Sequence, residues 1–255
     1  MASLRARETR TRAAALVFAA AACTSIGTAS AVVTFAFADK PGPDGQFFYN
    51  GPTGPGEPGS LVYDSTVRVK LSVDATGEGG SEFHYSNAEF HFSASVGAIA
   101  PVAGSSVEWV APLTDGALDF KDSVGNLLFS GSFGVDLPAA LVIVINTGSI
   151  NASVEVGGLN YVPGQTLLDD LSASIGMEVL GFLPPFDGVW TLSNMTALKA
   201  VVCPAPGPCP NQIFLDDFSA NSSFSGTAGI EMIPAPGASV LAGIGLLAVV
   251  SRRRR

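Results

Sequence analysis

The chain has two histidines, His84 and His91, and each has a glutamate two residues before it, Glu82 and Glu89. Imidazole beside carboxylate is the raw material of a metal site or of acid–base chemistry. If residues 82–92 form one unbroken strand, the odd separation of His84 and His91 puts the rings on opposite faces, where they cannot share a metal. A hairpin turning at Ser86 and Asn87 would change that parity. Asp169–Asp170 and Asp216–Asp217 are paired carboxylates, the residue type of glycoside hydrolysis and of Ca²⁺ binding. Adjacent acids on a strand point to opposite faces, and turns commonly carry such pairs. No EF-hand spacing and no G-x-S-x-G elbow occurs. The expectation is therefore no catalytic residue, no metal site and no cofactor, with Ca²⁺ at an acidic loop the one ion the composition admits.

Cys203 and Cys209 flank Pro204, Ala205, Pro206, Gly207 and Pro208. In an oxidising compartment the pair reads as a disulfide closing a small loop. Two cysteines with no nearby histidine supply only half of a tetrahedral metal site.

The segments that must position these residues read as strands. Val67, Val69, Leu71 and Val73 alternate with Arg68, Lys70 and Ser72, a period of two with one buried and one wet face. Residues 82–92 are rich in aromatics, and 141–145 are continuously apolar, as expected of a central strand covered on both faces. Leu171, Ala173, Ile175, Met177 and Val179 alternate with small or polar residues. Phe224, Gly226, Ala228, Ile230 and Met232 do the same. With 29 Gly and 17 Pro and no long amphipathic helix, the pattern predicts an all-β fold, a β-sandwich or jelly-roll-like domain of roughly ten short strands. Residues 39–60, rich in Gly and Pro, read as a long surface loop, and Pro184 with Pro185 marks where two smaller domains would divide. Trp109 and Trp190, with Phe47, Phe48 and Tyr49, would serve either as core or as a sugar-stacking face; each Trp sits beside valine, which favours the core.

Both ends of the chain carry addresses. Arg5, Arg7, Arg10 and Arg12 precede an apolar run, and the small residues Ala29, Ser30 and Ala31 follow, giving the three regions of a secretory signal peptide over residues 1–31. Cleavage after Ala31 satisfies the A-x-A pattern set by Ala29 and Ala31; Ala36-Phe37-Ala38 offers a second site. The body is then residues 32–232. The tail, 233–255, opens on Ile233, Pro234, Ala235, Pro236 and Gly237, continues without a polar residue from Val240 to Val250, and ends in Arg252, Arg253, Arg254 and Arg255. An apolar helix-capable run followed by retained cations fits a membrane, and the run is short for a permanent span, which takes ~20 residues.

This tail resembles the PEP-CTERM sorting signal of Gram-negative bacteria, with Pro234 and Pro236 as the two prolines, 237–250 as the membrane segment and Arg252–Arg255 as the basic end. Ala235 stands where that family usually has Glu. The resemblance implies an exosortase-like processing enzyme as partner, transient attachment to the inner membrane through a single hydrophobic helix, and delivery to the cell surface or extracellular matrix.

With both ends set aside, residues 32–251 hold five Lys or Arg against 21 acids, a net charge of −16. Such a body repels nucleic acid and anionic lipid and tolerates cations. The expectation is a non-enzymatic, exported structural or adhesive component. A carbohydrate-binding module of extracellular polysaccharide is the first alternative and a secreted hydrolase the second.

Overall fold

The computed structural model describes residues 29–38, 46–52, 57–135, 139–146, 149–156, 159–193, 195, 200–202 and 213–233. The fold is all-β, with fifteen strands and one short α-helix among these residues. Four strands are long: β5 (Glu82–Val96), β7 (Glu108–Lys121), β12 (Glu178–Ser193) and β15 (Phe218–Ile233), of 14 to 16 residues each. The sequence predicted about ten short strands. The long ones persist because inward apolar residues keep alternating with outward polar ones through register shifts, at Ser86–Asn87 in β5, where a hairpin was the alternative, and between Leu183 and Phe186 in β12.

The long strands form the backbone of a closed circuit. From β15 the hydrogen-bonded order runs through β12, β10 (Ser149–Val156), β9 (Ala139–Asn146) and β7 to β5. From β5 it returns to β15 by two routes. One end of β5 pairs with β3 (Gly59–Tyr63), which leads through β2 (Phe47–Asn50). The other end pairs with β4 (Arg68–Asp74), which leads through β1 (Ala29–Ala38). Beyond this circuit, β8 (Leu127–Phe133) lies beside β7 and β11 (Asn160–Pro163) beside β8, while β6 (Ala100–Pro101) pairs the start of β7. A separate ribbon of β13 (Ala200–Val202) and β14 (Ile213–Leu215) joins the body through a bridge between Ile99 and Ile213. Closing a sheet on itself removes its edges, and β11, which ends in a proline, is too short to template pairing with another chain.

One core fills the circuit. Its centre is a ladder of rings: Phe90 stacks on Phe120 at 4.4 Å, Phe120 meets Phe129 at 4.8 Å, Phe37 meets Phe90 at 4.9 Å, and Trp190 stacks on Phe224 at 4.7 Å. The similar aromatic and Ser character of 90–95 and 129–133 follows from this geometry. β5 and β8 flank β7, turning Phe90, Phe92, Phe129 and Phe133 inward and Ser93 and Ser132 outward.

Several expectations need correction. Residues 39–60 are not one loop, because β2 lies within them, with Phe47 and Tyr49 fully buried. Residues 171–175 are not a strand but the end of helix α1 (Gln165–Ile175). Leu167 and Leu171, four apart, share its buried face, and Gly176 stops it in the left-handed conformation that suits a residue without Cβ. Only from Glu178 does β12 begin. β9 buries Leu141 and Ile143 but leaves Val142 and Val144 partly exposed, so one face is covered rather than two. Pro184 and Pro185 mark no domain boundary. They lie inside β12, in a bulge where the register against β15 slips between Leu183 and Phe186, a position where a residue without N–H costs the ladder nothing.

Candidate functional site

Asn87 decides where the histidines point. It takes a φ of +60°, and at this place the register between β4 and β5 shifts. Before it, Phe83 and Tyr85 are the more buried residues of β5; after it, Ala88, Phe90 and Phe92 are. The strand is unbroken, yet its parity reverses, so His84 and His91 share the outer face despite their odd separation. At ~3.3 Å per residue they still stand about 20 Å apart, too far to bind one ion.

His91 is the centre of a cross-strand charge cluster. Its Nδ1 lies 2.8 Å from Asp119 Oδ1, directly opposite on β7, and its Nε2 lies 2.9 Å from Glu89 Oε1. Arg68 on β4 donates to Glu89 Oε2 at 2.5 Å, and Lys121 Nζ stands 3.4 Å from Asp119 Oδ1. The register places Arg68, Glu89 and Lys121 in one row across three strands. The Arg68 hydrogen bond holds the Glu89 carboxyl below the usual range. These contacts tie β4, β5 and β7 together on the outer face of the sheet. All five side chains reach solvent, where ion pairs contribute ~0–1 kcal/mol each.

The paired carboxylates are engaged separately. On α1, Asp169 accepts from Gln165 Nε2 at 2.7 Å, while Asp170 accepts from the Tyr85 hydroxyl. In the turn before β15, Asp216 accepts from the Asp217 amide at 3.0 Å, and Asp217 accepts from the Gly51 amide at 2.7 Å. At the β7–β8 turn, Asp122 accepts from the amides of Val124 and Asn126 and from Asn126 Nδ2. Burial pulls the Asp122 carboxyl upward, but these bonds outweigh it and leave it below the usual range. Among the described residues no three His, Cys, Asp or Glu side chains are placed to share a metal ion.

The candidate sugar-stacking aromatics divide. Trp190, Phe47 and Tyr49 are core, Trp109 is partly buried against it, and Phe48 is 36 % exposed. Among the described residues the Trp190 Nε1 and the Tyr49 hydroxyl have no hydrogen-bond partner. Burial, then the charge of Asp217, pushes the Tyr49 hydroxyl up to about 12. Tyr161, whose hydroxyl donates to the Asp187 carbonyl at 2.8 Å, is raised by burial and then by Asp187. Tyr85 is raised by burial, then by its bond to Asp170.

A folded pKa above the unfolded value of ~10 adds stability that is complete below that pH and is lost as pH rises through the folded value. With three of the four tyrosines shifted this way, tyrosinate absorbance should rise together with unfolding in one step above about pH 10. A gradual titration centred near ~10 with unchanged circular dichroism would contradict it.

The residues that the sequence marks for processing lie, where described, at the ends of paired strands. Ala29 and Ala31 belong to β1, opposite Met232 and Ile230 of β15, and Ala31 is buried. Ile233 is the last residue of β15. Pro234, Ala235, Pro236, Gly237, Arg252–Arg255, Cys203 and Cys209 lie outside the described residues. Among the described residues no helix is long and apolar enough to cross a membrane. Val202 and Ile213 are register partners in the β13–β14 ribbon, so the segment carrying both cysteines leaves and rejoins the body at adjacent positions. The charge cluster was missed in the sequence because Arg68, His91 and Asp119 meet only through strand register. Compared with protein-family models, curated proteins and solved structures, the chain finds no match.

Proposed function

We propose that this chain is an exported bacterial protein, sorted by its C-terminal tail to the cell surface or extracellular matrix, where the body is a non-catalytic structural or adhesive component. The observation that carries the reading is the order Pro234-Ala235-Pro236, apolar run, four arginines at 252–255, behind a signal-like N-terminus. The partners it implies are an exosortase-like enzyme, the inner membrane transiently, and extracellular polysaccharide. Two features of the body support it. β15 ends at Ile233, so a cut within 234–237 leaves every strand among the described residues intact. The two routes from β5 to β15 suit a sandwich whose sheets share their long strands, a closed form in which, among the described residues, only short strands such as β11 lie at an edge. The carbohydrate-module alternative is less favoured, since Phe47, Tyr49 and Trp190 face inward and leave Phe48 and the partly buried Trp109.

Deleting residues 234–255 should release folded protein to the periplasm or medium. Cell fractionation checks this, and surface attachment unchanged by the deletion would overturn the reading.

A further inference from the structure

The two strands that carry the chain ends are each other's neighbours. β1 and β15 are antiparallel, with Ala29 opposite Met232, so the signal-like segment and the tail leave the body side by side. Register fixes what else lies at that end. β4 reaches it at Asp74, β5 starts from it at Glu82, and the Thr76–Glu78 turn between them accepts the Val32 amide on Glu78 Oε1 at 3.1 Å. α1 packs there too, its Ser174 Oγ accepting from the Ser81 amide at 2.9 Å, and β12 leaves from it at Glu178 opposite Ile233. β7 arrives at Lys121 and turns through residues 122–126. The opposite end holds the starts of β7 and β15, residues 102–107, and the β13–β14 ribbon.

We infer that the tail-bearing protein has a fixed orientation on the membrane: the end with α1 and the 122–126 turn faces the bilayer, and the end with residues 102–107 and the β13–β14 ribbon faces outward. This rests on the sorting reading above. Attachment runs through the tail beyond Ile233 and not through the body, because the near end carries Asp74, Glu78, Glu82, Asp122, Asp169 and Asp170, which repel anionic lipid. Whatever extracellular polymer the protein engages meets the far end first.

The test places one fluorophore at each end of the full-length chain, at Val124→Cys or Ser106→Cys, with Cys23, Cys203 and Cys209 replaced by Ser. Both positions are exposed, and the β7 strand between them holds the probes roughly 40 Å apart. In vesicles of phosphatidylcholine and phosphatidylglycerol carrying a headgroup acceptor dye, energy transfer should be several-fold stronger from position 124. Equal transfer, or stronger transfer from 106, overturns the orientation alone. Failure of the full chain to bind vesicles overturns the sorting reading and the orientation with it. If the cysteine-free background does not fold, an epitope inserted at Gly125 or Gly104 of the natural chain gives the same comparison. Antibody access should then be blocked by the vesicle surface at 125 and free at 104, and the reverse or equal access overturns the inference.

Discussion

A chain that begins at Asp39 is expected to be unfolded, whereas one that begins at Val32 is expected to fold. The difference is β1, which closes the route from β4 to β15 with ten register positions on β15 and three on β4. Its inward residues Val33 and Phe35 are fully buried and Phe37 nearly so. At ~1.5–3 kcal/mol for each large side chain buried, the three contribute roughly 6 kcal/mol, against about 5–15 kcal/mol for the whole fold. Losing them also leaves the facing edges of β4 and β15 without partners for their N–H and C=O groups, each costing ~1–3 kcal/mol where water cannot reach. Cleavage after Ala31 removes three register pairs and the buried Ala31 methyl, which contributes about 1 kcal/mol by the same area argument. The second A-x-A site, Ala36-Phe37-Ala38, would therefore destroy the product it releases. Circular dichroism and denaturant titration of the two chains check this. A cooperative transition in the Asp39 chain within about 1 kcal/mol of the Val32 chain would show that β1 is dispensable.

The same comparison shows what could be read before the fold was known. Alternation was legible wherever one face is core and the other solvent: Val69, Leu71 and Val73 in β4 and Phe224, Ala228, Ile230 and Met232 in β15 are inward as expected. It failed at residues 171–175, because Leu171, Ala173 and Ile175 satisfy a period of two while Leu167 and Leu171 satisfy a helical one, and a short segment fits both. The parity argument for His84 and His91 was sound for a regular strand. A single backbone angle at Asn87 reversed it without a hairpin, and the apolar spacing carries the mark of that bulge, stepping from Phe83 and Tyr85 to Ala88, Phe90 and Phe92 across Ser86 and Asn87. The charge cluster was illegible for a different reason. Arg68, Glu89, His91, Asp119 and Lys121 come from three strands spread over 54 positions, and only register brings them together. The sorting tail shows the opposite case: its information is carried by composition and order, so it is readable without a fold.

Phe90→Ala should be the most damaging single substitution in the body, costing about 3–5 kcal/mol. Phe90 is fully buried, and its ring meets Phe37, Phe47, Tyr63, Phe92 and Phe120. Those rings come from β1, β2, β3, β5 and β7, so Phe90 contacts both routes by which the sheet closes from β5 to β15. A cavity at this place cannot collapse easily, because each wall is a strand fixed by its own ladder. For a body of this size the loss corresponds to a fall in Tm of roughly 10 °C. Phe48→Ala is the control: one position from Phe47 on β2, but facing solvent, it should shift stability by no more than ~0.5 kcal/mol. Paired denaturant titrations of the mature body separate the two. Equal losses at positions 48 and 90 would mean that the aromatic ladder is not what holds the two routes closed.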